Sequence, residues 1–153
     1  MTEKQKGIVK AVNISTEKGV PKTNIGTSFI NLMGLKEDAH AADWHRQVSL
    51  LAEESIDKVR DLIEKQKLGM KIEYGAFAEN ITTEGIDLPN IPVGKRFKIN
   101  DVILEITQIG KECHSGCAIQ KLVGKCVMPK EGIFARVIET GTIKIGDEIL
   151  VLD

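Results

Sequence analysis

The chain has 153 residues, enough for one domain with a sizeable core. Its 42% hydrophobic and 28% charged content is the ordinary balance of a soluble globular protein. A net charge of −1 supplies no field that would draw the chain to nucleic acid or to an anionic membrane; no apolar run is long enough to span a bilayer, and Met1 to Lys6 lacks the apolar core of a secretion signal. The expectation is therefore a single cytoplasmic domain over residues 1–153.

Gly7 to Ile14 places Ile8, Val9, Ala11, Val12 and Ile14 in near alternation and predicts a strand, ended by Ser15-Thr16. Thr27 to Leu32 predicts a second strand, closed by Gly34. The stretch from Gly34 to Arg46 then holds Asp38, His40, His45 and the only tryptophan, Trp44. An Asp-x-His pair with a second histidine is able to bind zinc, but the spacing matches no strong zinc signature, and a structural loop capped by Asp38 is the alternative. Ser49 to Gln66 predicts the one convincing helix. Ile56, Val59 and Ile63 recur at helical spacing, Glu53 and Glu54 fall near its start, Lys65 and Lys67 near its end, and Gly69 is placed to cap it. That stripe is core packing and carries no chemistry.

Gly75, Gly85, Pro89, Pro92 and Gly94 punctuate the second half. Between Gly75 and Gly85, the pair Glu79-Asn80 opens a strand, where it either binds a ligand or fixes a turn. Arg96 to Ile99 and Val102 to Thr107, joined by Asn100-Asp101, predict a hairpin. Ile133–Ile138, Ile143–Ile145 and Glu148–Val151 predict three further strands. Short strands with glycine turns and a single long helix favour a mostly β protein, a barrel with an inserted helix.

The three cysteines, Cys113, Cys117 and Cys126, cluster in a small part of the chain. An odd number argues for thiols or metal ligands over a disulfide framework. Cys113 follows a predicted strand and stands beside Lys111 and His114; nearby positive charge lowers a thiol's pKa and favours the thiolate, the form that ligates metals and carries sulfur. The other reading is a small buried apolar residue. From Lys111 to Arg136 the basic residues Lys111, Lys121, Lys125, Lys130 and Arg136 face only Glu112 and Glu131, five against two, a local +3. Such a surface suits a ligand that carries phosphate, and it equally fits a solvated loop. Cys113, His114, Cys117 and Cys126 also supply the ligand types of a structural zinc site.

The order of Gly34–Arg46, Gly75–Gly85, Cys113, Gly132–Val137 and Gly141–Asp147 resembles the molybdenum-cofactor sulfurase C-terminal domain, MOSC, in its stand-alone bacterial form. Asp38-Ala39-His40 followed by Arg46-Gln47-Val48-Ser49-Leu50-Leu51 is similar to the family's Asp-x-His loop and following helix. Phe77-Ala78-Glu79-Asn80-Ile81-Thr82 is similar to its Phe-Gly-Glu-Asn-Leu-Thr motif, and Cys113 falls where the family keeps its functional cysteine. Glu37, Ala41 and Ala78 stand where members have glycine, although residues with a Cβ are less free to take positive φ. Glu112 replaces the proline that often precedes the cysteine, and its carboxylate opposes the effect of Lys111 and His114 on the thiol.

The resemblance implies a mostly β (α+β) MOSC-type barrel, similar to the β-barrel of pyruvate kinase, with one long helix packed outside and short rim helices. It implies a molybdenum cofactor (molybdopterin) bound at the rim. Cys113 would ligate molybdenum or carry a persulfide sulfur; Asn80, Thr82, Lys111 and Arg136 would line the pterin and phosphate; Asp38 and His40 would support the mouth. Two functions follow: a module that holds or sulfurates the cofactor during its assembly, or a small molybdoenzyme reducing N-hydroxylated compounds with electrons from partner proteins. The chain carries no motif for a redox centre, which favours the carrier. The implied partners are molybdenum-cofactor biosynthesis proteins or a cysteine desulfurase. A zinc-stabilised interaction domain is the third reading.

Overall fold

The computed structural model describes residues 5–110 and 131–152. Lys111, Cys113, His114, Cys117 and Cys126 lie outside the described residues.

The first half contains β1 (Lys6–Ile14), β2 (Thr23–Asn24), β3 (Thr27–Asn31), β4 (Gly34–Leu35), β5 (Val48–Ala52) and the helix α1 (Glu53–Lys65). The second half contains β6 (Ile81–Glu84), a 3-10 turn at Leu88–Asn90, β7 (Arg96–Ile99), β8 (Val102–Ile109), β9 (Ile133–Glu139), β10 (Gly141–Lys144) and β11 (Glu148–Leu152). Seven strands close in the order β1, β11, β7, β8, β9, β5, β6 and back to β1, the barrel that the sequence predicts. Every neighbouring pair is antiparallel except β5 and β6. A parallel pair needs a crossover connection, and α1 supplies it. The helix lies outside the barrel because β5 and β6 are both barrel staves.

Strand alternation fills the interior. On β7, Phe97 and Ile99 are buried while Arg96 and Lys98 are exposed; on β8, Val102, Leu104 and Ile106 point inward. They join Val9, Leu50, Ile81 and Ile133 in one core. A small sheet of β10, β3 and β4 adds Ile30, Leu35 and Ile143 to the same cluster. The outer face of β7, β8 and β9 carries a row of charges, with Glu105 between Arg96 and Arg136. Among the described residues no helix is long and apolar enough to cross a membrane.

The structure corrects the helix boundary. Val48–Ala52 is strand, and the helix starts at Glu53. All five residues of β5 are buried, because the strand has neighbours on both edges, the barrel core on one face and α1 on the other. A strand covered on both faces reads as a continuous apolar run, which periodicity cannot separate from a buried helix. Leu51 points outward and meets Ile56, Val59 and Ile63 of the helix, so the helical stripe has the predicted packing role.

The helix end is corrected too. Gly69 has a left-handed φ, but the helix is capped at Gln66 and the left-handed residue that follows the cap is Lys67, at φ 51°. The Leu68 amide donates to the Ile63 carbonyl and the Lys67 amide to the Glu64 carbonyl, each at 3.1 Å, a Schellman motif. Glycine is the residue suited to that backbone. Lys67→Gly is therefore expected to stabilise the protein by about 1 kcal/mol, raising the melting temperature by about 3 °C. An unchanged or lowered temperature in thermal denaturation would refute the strain at Lys67.

Candidate functional site

Two buried carboxylates organise one end of the barrel. Glu79 is fully buried just before β6. It accepts hydrogen bonds from the Gly75 amide (3.0 Å), the Phe77 amide (3.2 Å) and the Thr82 hydroxyl (2.8 Å), and so shapes the loop between Gly75 and Asn80. Burial pushes its carboxyl above the ordinary value, and these hydrogen bonds offset only part of that shift. Gly75 is required here: its φ is +90°, and an added Cβ would lie 2.2 Å from the Lys22 carbonyl oxygen. Ala78 and Glu37, at positions where the resemblance implies glycine, nevertheless take left-handed backbone at φ 61° and 67°. The departures in sequence keep the loop conformation at a cost of about 1 kcal/mol each.

Asp38 is the second carboxylate. Its Oδ1 lies 2.7 Å from Lys22 Nζ, and both side chains are fully buried. It also accepts from the Ser15 amide and, through Oδ2, from the His40 amide, each at 3.1 Å. Burial raises the Asp38 pKa, but the Lys22 hydrogen bond, the Ser15 amide, the Lys22 charge and a hydrogen bond from Asn80 together hold it below its ordinary value. The Lys22 ammonium stands within 3.1 Å of His40 Nδ1 as well. The Lys22 ammonium thus stands against both Asp38 and His40, and Asp38 holds the loop through the Ser15 and His40 amides.

Beside this cluster is a small pocket of about 60 Å³. His40, Arg46, Ser49 and Asn80 give it polar walls; Trp44, Phe77 and Phe134 give it aromatic ones. The Arg46 guanidinium carbon is 4.8 Å from the Trp44 ring centroid and 5.5 Å from that of Phe134. Such stacking holds a guanidinium in place without neutralising it. Its Nε is buried and has no hydrogen-bond acceptor, and among the described residues no carboxylate pairs with it. Its loop is pinned from both sides. The Thr107 hydroxyl on β8 donates to the His45 carbonyl, and the Gln47 side chain donates to the Leu32 and Ala42 carbonyls while accepting from the Val137 amide on β9.

The predicted site residues separate into groups. Asp38, His40 and Asn80 come together at this end of the barrel. Asn80 spends its side chain on the frame, accepting from the Ser49 amide (3.0 Å) and donating to the Asn13 carbonyl (3.1 Å), so it is a wall more than a free donor. Thr82 sits a layer behind, fully buried between Glu79 and Asn13. Arg136 does not line the pocket. It lies half-exposed on the outer face of β9, 3.0 Å from Glu105. Cys113 and Lys111 are outside the described residues. Arg46 and Lys22 are the cations that sequence reasoning missed. Arg46 sits next to the Trp44-His45 aromatic pair, a signal for cation–π contact; Lys22 follows a Gly-Val-Pro turn that carries no signal at all.

The MOSC domain model matches residues 36–150. The chain belongs to the MOSC family. That family is linked to molybdenum-cofactor binding and sulfur transfer. No curated protein matches the chain by sequence. Among solved structures, the chain is similar to the YuaD protein from Bacillus subtilis, at 16% identity and a TM-score of 0.77, with 99% of this chain and 98% of that one covered. It is also similar to YiiM from Escherichia coli, at 16% identity and a TM-score of 0.66, covering 97% of this chain and 70% of that one. YiiM from Geobacillus stearothermophilus follows at 15% identity and a TM-score of 0.64, with 96% and 73% covered. At these identities the likeness shows the fold alone. The MOSC barrel with α1 outside it is thus supported by the family match and by the strand order together.

Glu79 gives a pH test. Its folded-state pKa is raised above the ordinary value of 4.5, so the carboxyl favours the fold most at low pH, and that contribution is lost as pH rises through the folded value. The unfolding free energy of the unsubstituted domain minus that of Glu79→Gln should therefore fall as pH rises above the ordinary value of 4.5. A difference that stays flat in urea titrations would mean that Glu79 ionises as it does in the unfolded chain.

Proposed function

We propose that this MOSC domain holds the molybdenum cofactor by an anionic group at the Arg46 pocket, and that Cys113 serves as a thiolate that ligates the metal or carries sulfur during cofactor assembly. The observation that carries the reading is the Arg46 side chain: a guanidinium over the Trp44 and Phe134 rings, with a buried Nε that has no acceptor among the described residues. A buried unsatisfied donor costs roughly 1–3 kcal/mol, and an oxyanion relieves that cost with a charge-assisted hydrogen bond. A pocket of about 60 Å³ admits such a group, while the rest of a pterin would extend beyond these walls. The residues fit the anionic end of the cofactor.

When bound, the cofactor would supply a soft metal centre suited to thiolate or sulfide. The chain's own residues supply the rest. Arg46 would bind the anionic end, Trp44 and Phe134 would fix it and exclude water, and Ser49 and His40 would complete the polar wall. Cys113 follows Gly110 by three residues, a reach of at most about 11 Å. Gly110 sits at the end of β8, where its amide donates to the Gly132 carbonyl, two residues before Phe134 in the pocket wall. In sulfur transfer, the Cys113 thiolate would attack the outer sulfur of a donor persulfide. A new S–S bond forms on Cys113 and the donor leaves as its thiolate, with no net oxidation. The fitting donor is a cysteine desulfurase, and the fitting acceptor a molybdenum-cofactor biosynthesis protein, in a reducing cytoplasm.

The test is metal analysis of protein purified from a host that makes the cofactor. Molybdenum should co-purify with the unsubstituted chain, fall by about tenfold or more in Arg46→Ala, and remain in Arg136→Ala, whose guanidinium meets Glu105 instead. Incubation with a cysteine desulfurase and cysteine should add one sulfur atom to the intact mass, and Cys113→Ser should abolish that addition. Zinc in place of molybdenum, or full molybdenum retention in Arg46→Ala, would sink the proposal.

A further inference from the structure

We infer that Gln47 is the positioning residue of the pocket: its side-chain amide takes the place in the β5–β9 ladder that the Arg46 backbone would hold, and so turns Arg46 off the core face and toward the pocket. Its effect on ligand binding rests on the Arg46 pocket being the anion site; its effect on Arg46 itself does not.

The register shows which place Gln47 fills. In the antiparallel ladder of β5 and β9, Leu50 pairs with Ile133, Ser49 with Phe134 and Val48 with Ala135. Two steps further along, the residue opposite Val137 would be Arg46. The ladder stops at Val48, and the Val137 amide donates instead to Gln47 Oε1 at 2.8 Å. Val137 is buried, and a buried backbone N–H without an acceptor costs about as much as a lost hydrogen bond. The Gln47 side chain thus lets β5 begin at Val48 without orphaning the strand beside it.

Alternation shows why Arg46 has to leave the ladder. Successive residues of a strand point to opposite faces. Val48, Leu50 and Ala52 lie in the barrel core, while Leu51 packs with α1 and Phe134 on the outer side. A strand carried back through residue 46 would aim the arginine at the core face, among the apolar side chains of that cluster. An uncompensated buried charge is among the costliest defects in a fold. Instead the guanidinium lies over Trp44 and Phe134, in a pocket that Ser49 also lines.

The same amide holds the aromatic partner. Gln47 Nε2 carries two hydrogens, and it donates to the Leu32 carbonyl at 2.7 Å and to the Ala42 carbonyl at 3.0 Å. The reverse amide orientation would set N–H against the Val137 N–H and a carbonyl against two carbonyls. The Ala42 carbonyl also accepts from the Trp44 amide at 3.1 Å, and the Ala42 amide donates to the Met33 carbonyl at 2.8 Å. The turn that carries Trp44 is therefore fastened to Gln47, and Arg46 precedes Gln47 in the chain. One buried side chain, itself no part of the pocket wall, fixes both members of the Arg46–Trp44 contact.

The experiment compares the unsubstituted chain with Gln47→Met, which keeps the side-chain length and removes these three hydrogen bonds. The first readout is the Arg46 Nε–H resonance in a proton–nitrogen spectrum, assigned by its loss in Arg46→Lys. Ring currents from Trp44 and Phe134 should displace it from the resonances of Arg96 and Arg136, and Gln47→Met should bring it back to them. A Gln47 with a merely structural role would lower the melting temperature and leave the displacement in place. A displacement kept in Gln47→Met, or absent from the unsubstituted chain, overturns the inference. If Gln47→Met does not fold, Gln47→Glu replaces it with the same outcomes, since it keeps the acceptor for Val137 and loses the donors. The second readout is molybdenum co-purified from a host that makes the cofactor, which should fall by about tenfold in Gln47→Met, the scale on which groups that orient a ligating residue matter. Full retention in Gln47→Met beside loss in Arg46→Ala overturns the inference. Full retention in both sinks the anion reading instead, and the resonance alone then supports or overturns the role of Gln47.

Discussion

A lysine and an aspartate 2.7 Å apart, both removed from water, hold this end of the barrel together. Desolvating two charges is expensive, and their attraction offsets the cost only when the geometry is good and the remaining hydrogen-bonding groups are satisfied. Here they are. Asp38 receives the Ser15 and His40 amides, and Lys22 reaches Ser15 and His40. The pair joins three segments that are distant in sequence: the end of β1, the turn before β2 and the loop after β4. The Lys22 backbone extends the knot to a fourth, since its amide donates to the Gly75 carbonyl at 2.8 Å, and Gly75 in turn donates to Glu79. A hydrophobic pair of similar volume would pack, but it would not fix the orientation of His40 or the loop that carries Trp44 and Arg46.

The barrel was legible in the sequence wherever one strand face meets water. On β7 and β8 the alternation is clean, and the hairpin turn at Asn100-Asp101 stands where the composition puts it, with Asn100 at φ 54°. It was not legible at β5, whose residues are covered on both faces and whose apolar run continues into the helix stripe. The site divides in the same way. Asp38, His40 and Asn80 were found by resemblance, because the motifs that hold the loops are the ones that look alike across a family. Arg46 was passed over although Trp44 and His45 precede it, because its second ring, Phe134, is 88 residues away in sequence and only the fold brings it near. Arg136 drew notice for its charge, but β9 presents it to Glu105 across the outer face, a pairing that depends on strand register and is invisible in the chain order.

Residues 37, 67 and 78 carry a further lesson about local rules. Each places a non-glycine residue in left-handed backbone, and two of the three lie in loops that border the site. At Lys67 local helix-end hydrogen bonds hold the conformation, and at Ala78 tertiary ones do. Around Ala78 the Gly75, Phe77 and Thr82 donors converge on Glu79, so the loop is shaped by a buried carboxylate rather than by the intrinsic preference of its residues. Loss of a glycine in such a motif is then weak evidence against the motif. What would count against it is loss of the carboxylate or of Gly75, where a Cβ has no room.

The two missed cations show how a fold assigns different work to like charges. Lys22 is neutralised by Asp38 and keeps its ammonium inside the frame, against Asp38, Ser15 and His40. Arg46 lies over aromatic rings, and among the described residues no acid pairs with it, so there its charge stays available to whatever enters the pocket. Contact with aromatic faces fixes position through the ring quadrupoles and leaves N–H groups to donate, whereas a carboxylate would have fixed position by consuming them. Exchanging the two supports would give a pocket of the same shape with no net attraction for an anion. Selectivity here is therefore set less by which cations are present than by which of them the fold leaves unpaired.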